Sequence, residues 1–222
     1  MPTTAQRALL SVALLLALGA GVAAGWNVAP PQSAAPSASP APTPSPSPLL
    51  PAASGPQRRI ALYGDGLLDG YGLPDGQSLP VILARARPDL LIVDQGLGHE
   101  TSDKLPLRVR DASEAHLDLL VVWGGSYDAA AGITADQYAT NMGMLLDAFK
   151  GTRVILLPPI ALQTGGGNMA PYRAALDRVA AQHGLSVTLI DSALAGADWQ
   201  DGGQDLGPKA DAALAAMLGR LL

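Results

Sequence analysis

From about residue 57 onward, short runs of apolar residues alternate with longer stretches in which apolar positions recur every three or four residues. The short runs predict strands at residues 60–63, 90–94, 117–123, 154–157 and 187–190. The longer stretches predict helices near residues 78–86, 102–115, 135–149, 171–183 and 208–221. Thr134 is placed to cap the third helix, and Gly184 to end the fourth. Strands and helices in strict alternation predict β-α-β units. The expected fold class is therefore α/β, a flavodoxin-like doubly wound five-stranded parallel sheet in a single domain. In such sheets ligands bind beyond the carboxyl ends of the strands, which makes the loops after each strand the places to look for chemistry.

The first 56 residues follow a different pattern. Arg7 precedes an apolar run over residues 8–24 that is apolar on every face, as a signal-peptide core or a short spanning helix would be. Val22, Ala23 and Ala24 offer small residues for cleavage. Residues 27–56 are dominated by Pro, Ala and Ser, a composition that favours extended polyproline II and a semi-rigid spacer. The expected organisation is a signal peptide or membrane anchor over residues 1–26, a disordered linker over 27–56 and a folded domain over 57–222. This places the domain outside the cytoplasm, secreted or anchored, with the membrane as a partner if the first segment is retained.

Composition narrows the function. Hydrophobic residues make up 48% of the chain but aromatics only 4%, so the core is built from aliphatic side chains. The net charge is −5, and no basic block follows Arg58 and Arg59, which leaves no footprint for a nucleic-acid backbone. The absence of cysteine excludes disulfides, thiolate metal sites and a cysteine nucleophile.

The loop after the first strand reads Tyr63-Gly64-Asp65-Gly66-Leu67-Leu68-Asp69-Gly70-Tyr71-Gly72-Leu73-Pro74. It resembles the G-D-S-L-T-A-G-Y-G-L block of the SGNH, or GDSL, hydrolases, in particular their bacterial thioesterase, lysophospholipase and arylesterase branch. Three more blocks follow in the family's order. They are Asp94-Gln95-Gly96-Leu97-Gly98-His99-Glu100-Thr101, Gly124-Gly125-Ser126-Tyr127-Asp128, and Asp201-Gly202-Gly203-Gln204-Asp205-Leu206-Gly207-Pro208.

The resemblance implies an esterase scaffold, with each catalytic position substituted. The nucleophilic serine falls on Gly66, which has no side chain to attack an acyl carbon. The oxyanion-hole glycine falls on His99 and the oxyanion-hole asparagine on Ser126. The catalytic histidine falls on Asp205, with Asp201 one residue out of register for the supporting aspartate. No serine relay survives these substitutions. The expected pocket residues are Asp65, Gly66, Leu67, His99, Glu100, Gly125, Ser126, Asp128 and Asp205, with no catalytic set intact.

Three readings stand open. One is a pseudoenzyme that binds an acyl, glycan or envelope ligand. A second is a rewired esterase using Ser126 or Ser102 as nucleophile with His99 as base, or water activated by His99 with Glu100, Asp128 or Asp205. The third is a structural envelope protein whose domain serves as an interaction surface. Asp65 is also suited to cap the helix that follows it. His99, Asp65 and Asp205 carry metal-ligating atoms, but no compact spacing such as H-x-x-x-H joins them, so neither metal nor cofactor is expected.

Overall fold

The structure, a computed structural model, describes residues 57–109 and 116–222. The signal-peptide and linker readings fall on residues 1–56, outside the described residues. Among the described residues no helix is long and apolar enough to cross a membrane.

Four parallel strands form the main sheet: β1 (Arg58–Asp65), β2 (Leu90–Leu97), β3 (Leu119–Trp123) and β4 (Val154–Leu156), in the order β2-β1-β3-β4. The helices are α1 (Gly66–Asp69), α2 (Leu79–Ala86), α3 (Asp128–Ala131), α4 (Ala135–Ala148), α5 (Ala170–Gln182) and α6 (Pro208–Leu221). A short antiparallel pair, β5 (Trp199–Gln200) with β6 (Asp205–Leu206), lies in the loop region before α6. The doubly wound α/β architecture read from the sequence is present.

Period-two alternation along the central strands divides the core into two layers. On one face, Ile60, Leu62, Leu119, Val121 and Trp123 pack with Leu79 and Leu83 of α2 and Leu214 and Leu218 of α6. On the other, Ala61, Tyr63, Leu120 and Val122 pack with Tyr138, Met142 and Leu145 of α4 and Leu176 and Val179 of α5. Both faces are covered, so the central strands read as continuous apolar runs. Thr134 caps α4 with a full capping box: its hydroxyl accepts from Gln137 N, and the Gln137 side chain accepts from Thr134 N.

The fifth strand is shorter than its apolar pattern predicts. It is a single parallel bridge between Val187 and Leu156, with Thr188 N donating to Leu156 O at 2.8 Å. The cause lies in β4. Leu157 N donates inward to Val122 O, so the next outward donor belongs to residue 158, which is proline, and Pro159 follows. Without those N–H groups the ladder stops, and Leu189 stands exposed.

Within the helix expected at 102–115, the described residues form a 3-10 turn over Leu105–Arg108 that leads into helical Val109; residues 110–115 lie outside the described residues. At the carboxyl end of β1, Gly64 lets two strands approach closely. A Cβ there would fall 1.7 Å from Trp123 O in β3, a contact only glycine avoids.

Candidate active site

The carboxyl ends of β1 and β2 and the loop carrying β6 bring three family-equivalent positions together. A Cβ built on Gly66 would meet Gly98 Cα at 2.8 Å, His99 N at 3.1 Å and Asp205 Oδ1 at 3.4 Å. Position 66 thus faces the residue standing in the histidine's place and the amide of the residue standing in the glycine's.

His99 directs its imidazole at the carboxylates of the last loop. Its backbone adopts φ 55°, which turns the side chain toward the last loop. There Nε2 lies 3.1 Å from Asp205 Oδ2 and 3.5 Å from Asp201 Oδ2. The ring sits between two aromatics, its centroid 5.6 Å from that of Tyr71 and 5.2 Å from that of Tyr127. The Asp205 side chain is almost fully buried, and the imidazole is 41% exposed. Tyr127 OH lies 2.9 Å from Asp205 Oδ1, to which it donates, and 3.1 Å from Gln204 O. Burial among these carboxylates holds the Tyr127 phenol far above its usual range, so it remains a donor.

Several residues expected to line the pocket are instead structural. Asp65 is fully buried and caps α1: one carboxylate oxygen accepts from Leu67 N at 3.2 Å and the other from Ser126 N at 3.3 Å. Burial raises its carboxyl well above the usual range, opposed by those two bonds. Leu67 belongs to the core. Gly125 sits at φ 96° against the Tyr138 ring and is buried. Ser126 is fully buried, and its Oγ accepts from Ile160 N at 3.2 Å. Ser102 is also fully buried; its hydroxyl donates to Asp128 Oδ2 and accepts from Asn141 Nδ2, while its amide donates to Asp128 Oδ1. The hydroxyls of both serines are thus engaged with Asp128, Asn141 and Ile160 rather than with His99. Burial raises the Asp128 carboxyl, and the bonds from Ser102 oppose that rise.

Glu100 is likewise engaged. Arg108 grips it through Nε and Nη2 at 2.6–3.1 Å, and the same guanidinium donates to Gln95 O and Gly64 O, both at 2.8 Å. It also lies 4.4 Å over the Tyr63 ring. Of the acids proposed to assist His99, Asp205 reaches it and Glu100 and Asp128 are held elsewhere.

Sequence reasoning missed Tyr71, Tyr127, Asp69 and Arg108 as parts of this site, and Asp201 as a contact of His99. Tyr127 and Asp201 stand inside the quoted blocks, yet nothing in the spacing says where their side chains end. Asp69 is half-buried; desolvation, reinforced by Asp94 and Asp205, raises its carboxyl to about 6. Asp94 is raised by burial too. The cleft is therefore a negative environment whose neighbouring guanidinium is already paired.

Residues 62–213 match the model of the GDSL-like lipase/acylhydrolase family. The chain belongs to this family. No curated protein matches it by sequence. Among solved structures, it is similar to the lipase/acylhydrolase from Enterococcus faecalis, with TM-score 0.65 and 19% identity over 74% of this chain and 95% of that one. It is also similar to the psychrotrophic esterase EstA from Pseudoalteromonas sp., with TM-score 0.64 and 16% identity over 73% and 94% of the two chains. A third similar structure is AlinE4, described as an SGNH-hydrolase family esterase, with TM-score 0.55 and 22% identity over 64% and 82%. At these identities the likeness speaks for the fold. The GDSL-like domain here has that α/β fold, with Gly66, His99 and Asp205 brought together beyond the carboxyl ends of β1 and β2.

Proposed function

We propose that this GDSL-like domain does not hydrolyse esters and instead binds a hydroxyl-rich ligand of the glycan type in the family's cleft. The observation that carries the reading is that Gly66 faces Asp205. A residue without a side chain stands opposite a carboxylate that already accepts from Tyr127 and His99. The two hydroxyls that would have to replace the nucleophile, Ser102 and Ser126, are in the interior.

The lining favours a polyol over an acyl chain. Asp201 and His99 are part-exposed polar groups able to take sugar hydroxyls, and Tyr71, 55% exposed beside the imidazole, offers a flat ring for stacking. An anionic ligand is disfavoured by the surrounding carboxylates. The apolar run over residues 8–24 and the Pro-rich stretch after it support a domain held outside the cytoplasm on a stalk.

The test is hydrolysis of short-chain p-nitrophenyl esters and an acyl-thioester by the full-length chain, beside a glycan-binding screen. Rates at the buffer level with saturable glycan binding support the proposal. Turnover above buffer that disappears in His99→Ala overturns it and establishes a water-activating site.

A further inference from the structure

We infer that His99, Asp201 and Asp205 form a binding site for a first-row divalent cation of the Zn²⁺ type. The site shares His99 and Asp201 with the glycan reading but does not rest on it and needs no catalytic activity.

The three ligating atoms, His99 Nε2 and one carboxylate oxygen each from Asp201 and Asp205, all lie within 4.8 Å of one another. Two ligands bound to one Zn²⁺ at about 2.1 Å, with tetrahedral or octahedral angles, stand about 3.0–3.4 Å apart. The imidazole-to-carboxylate separations here are 3.1 and 3.5 Å. An imidazole Nε2–H can serve only one carboxylate, so the second facing oxygen, on Asp201, is not explained by hydrogen bonding to the ring. A cation placed beside Nε2 would have a carboxylate oxygen of each aspartate within reach.

Burial supplies a second, independent observation. Asp205 keeps its carboxylate 2% exposed, and interior charges are found paired or bound to metal. Its remaining contact is a neutral phenol, Tyr127 OH on Oδ1, which leaves Oδ2 facing His99 and the proposed site. Tyr127 would then orient the ligand from the outer shell. Asp201 and His99 are 53% and 41% exposed, so one side of the site opens to solvent and could accept water or a ligand hydroxyl as a further donor. The donor set of one imidazole and two carboxylates suits Zn²⁺ or Mn²⁺ better than the all-oxygen sites preferred by Ca²⁺ or Mg²⁺.

The full-length chain, stripped with chelator, should bind a single Zn²⁺ in calorimetry, and Co²⁺ should give visible d–d absorption. Asp201→Asn and His99→Ala should each weaken Zn²⁺ binding by at least about 10-fold, the lower range seen on loss of even an outer-shell partner. His183, which lies 3.2 Å from Asp147 on the far side of the chain's α4–α5 pair, provides a control. His183→Ala should leave the binding unchanged. Because Asp201 is exposed, Asp201→Asn should keep the metal-free melting temperature, which separates a lost ligand from a lost fold. Absence of saturable Zn²⁺ binding, or binding that survives both Asp201→Asn and His99→Ala, would overturn the inference.

Discussion

A side chain on Gly66 would begin 3.4 Å from Asp205 Oδ1, so the two positions that the sequence resemblance pairs face each other across the site. The same construction puts that Cβ 2.8 Å from Gly98 Cα, below any ordinary contact. Gly66→Ser is therefore predicted to leave ester hydrolysis at the buffer rate and to destabilise the domain by about 1–3 kcal/mol through overpacking. Urea unfolding alongside a p-nitrophenyl acetate assay tests both parts, and a serine variant that turns over substrate would contradict the proposed function.

Asp211 gives a pH prediction. It is fully buried, accepts from Leu79 N through Oδ2 at 2.8 Å and leaves Oδ1 without a partner. Burial raises its carboxyl to about 7. Since the unfolded carboxyl titrates near about 4, the folded state holds the extra proton between those values. Stability from this group is therefore greatest below about pH 4, falls as pH rises toward 7 and is flat above, for a loss on the order of 4 kcal/mol. Asp211→Asn should flatten that slope and melt higher than the parent at pH 8. A steeper slope in the variant would show that another group dominates.

Arg108→Ala should be among the most damaging changes near the cleft. It removes a guanidinium whose side chain is 18% exposed and strands Glu100, 11% exposed, along with two carbonyls. The expected cost is about 3–5 kcal/mol, read as a lower urea midpoint. The double variant Arg108→Met with Glu100→Leu should recover part of it.

Tyr127→Phe should cost about 1–2 kcal/mol, because Asp205 Oδ1 then loses its phenolic donor in a buried position. A variant as stable as the parent across pH 5–8 would mean that water or His99 already satisfies that oxygen.

The fold was legible because its signals are local. Apolar runs buried on both faces and the Thr134 capping box can be read within windows of a few residues. The fifth strand was overread because Val187 to Ile190 is apolar enough for a strand, while its pairing depends on donors that Pro158 and Pro159 lack, some 30 positions earlier. Three residues singled out from separate blocks lie together in the structure, while their contacts could not be read from spacing. Gly66, His99 and Asp205 could be placed by their blocks, but Asp65, Ser126 and Asp128 look identical in sequence whether they line a cleft or serve the backbone. The His99 and Asp205 contact spans 106 positions, so no spacing rule for metal ligands reports it.

Arg108 carries a consequence beyond its stability. Its guanidinium ties the carbonyl of Gly64 in β1 to that of Gln95 in β2, and Glu100 holds it in place. The ends of β1 and β2 are thus fastened by Arg108 and Glu100, while His99 and Asp205 are held by other contacts. A scaffold fastened in this way can change what stands at Gly66, His99 and Asp205 without losing the register of its strand ends.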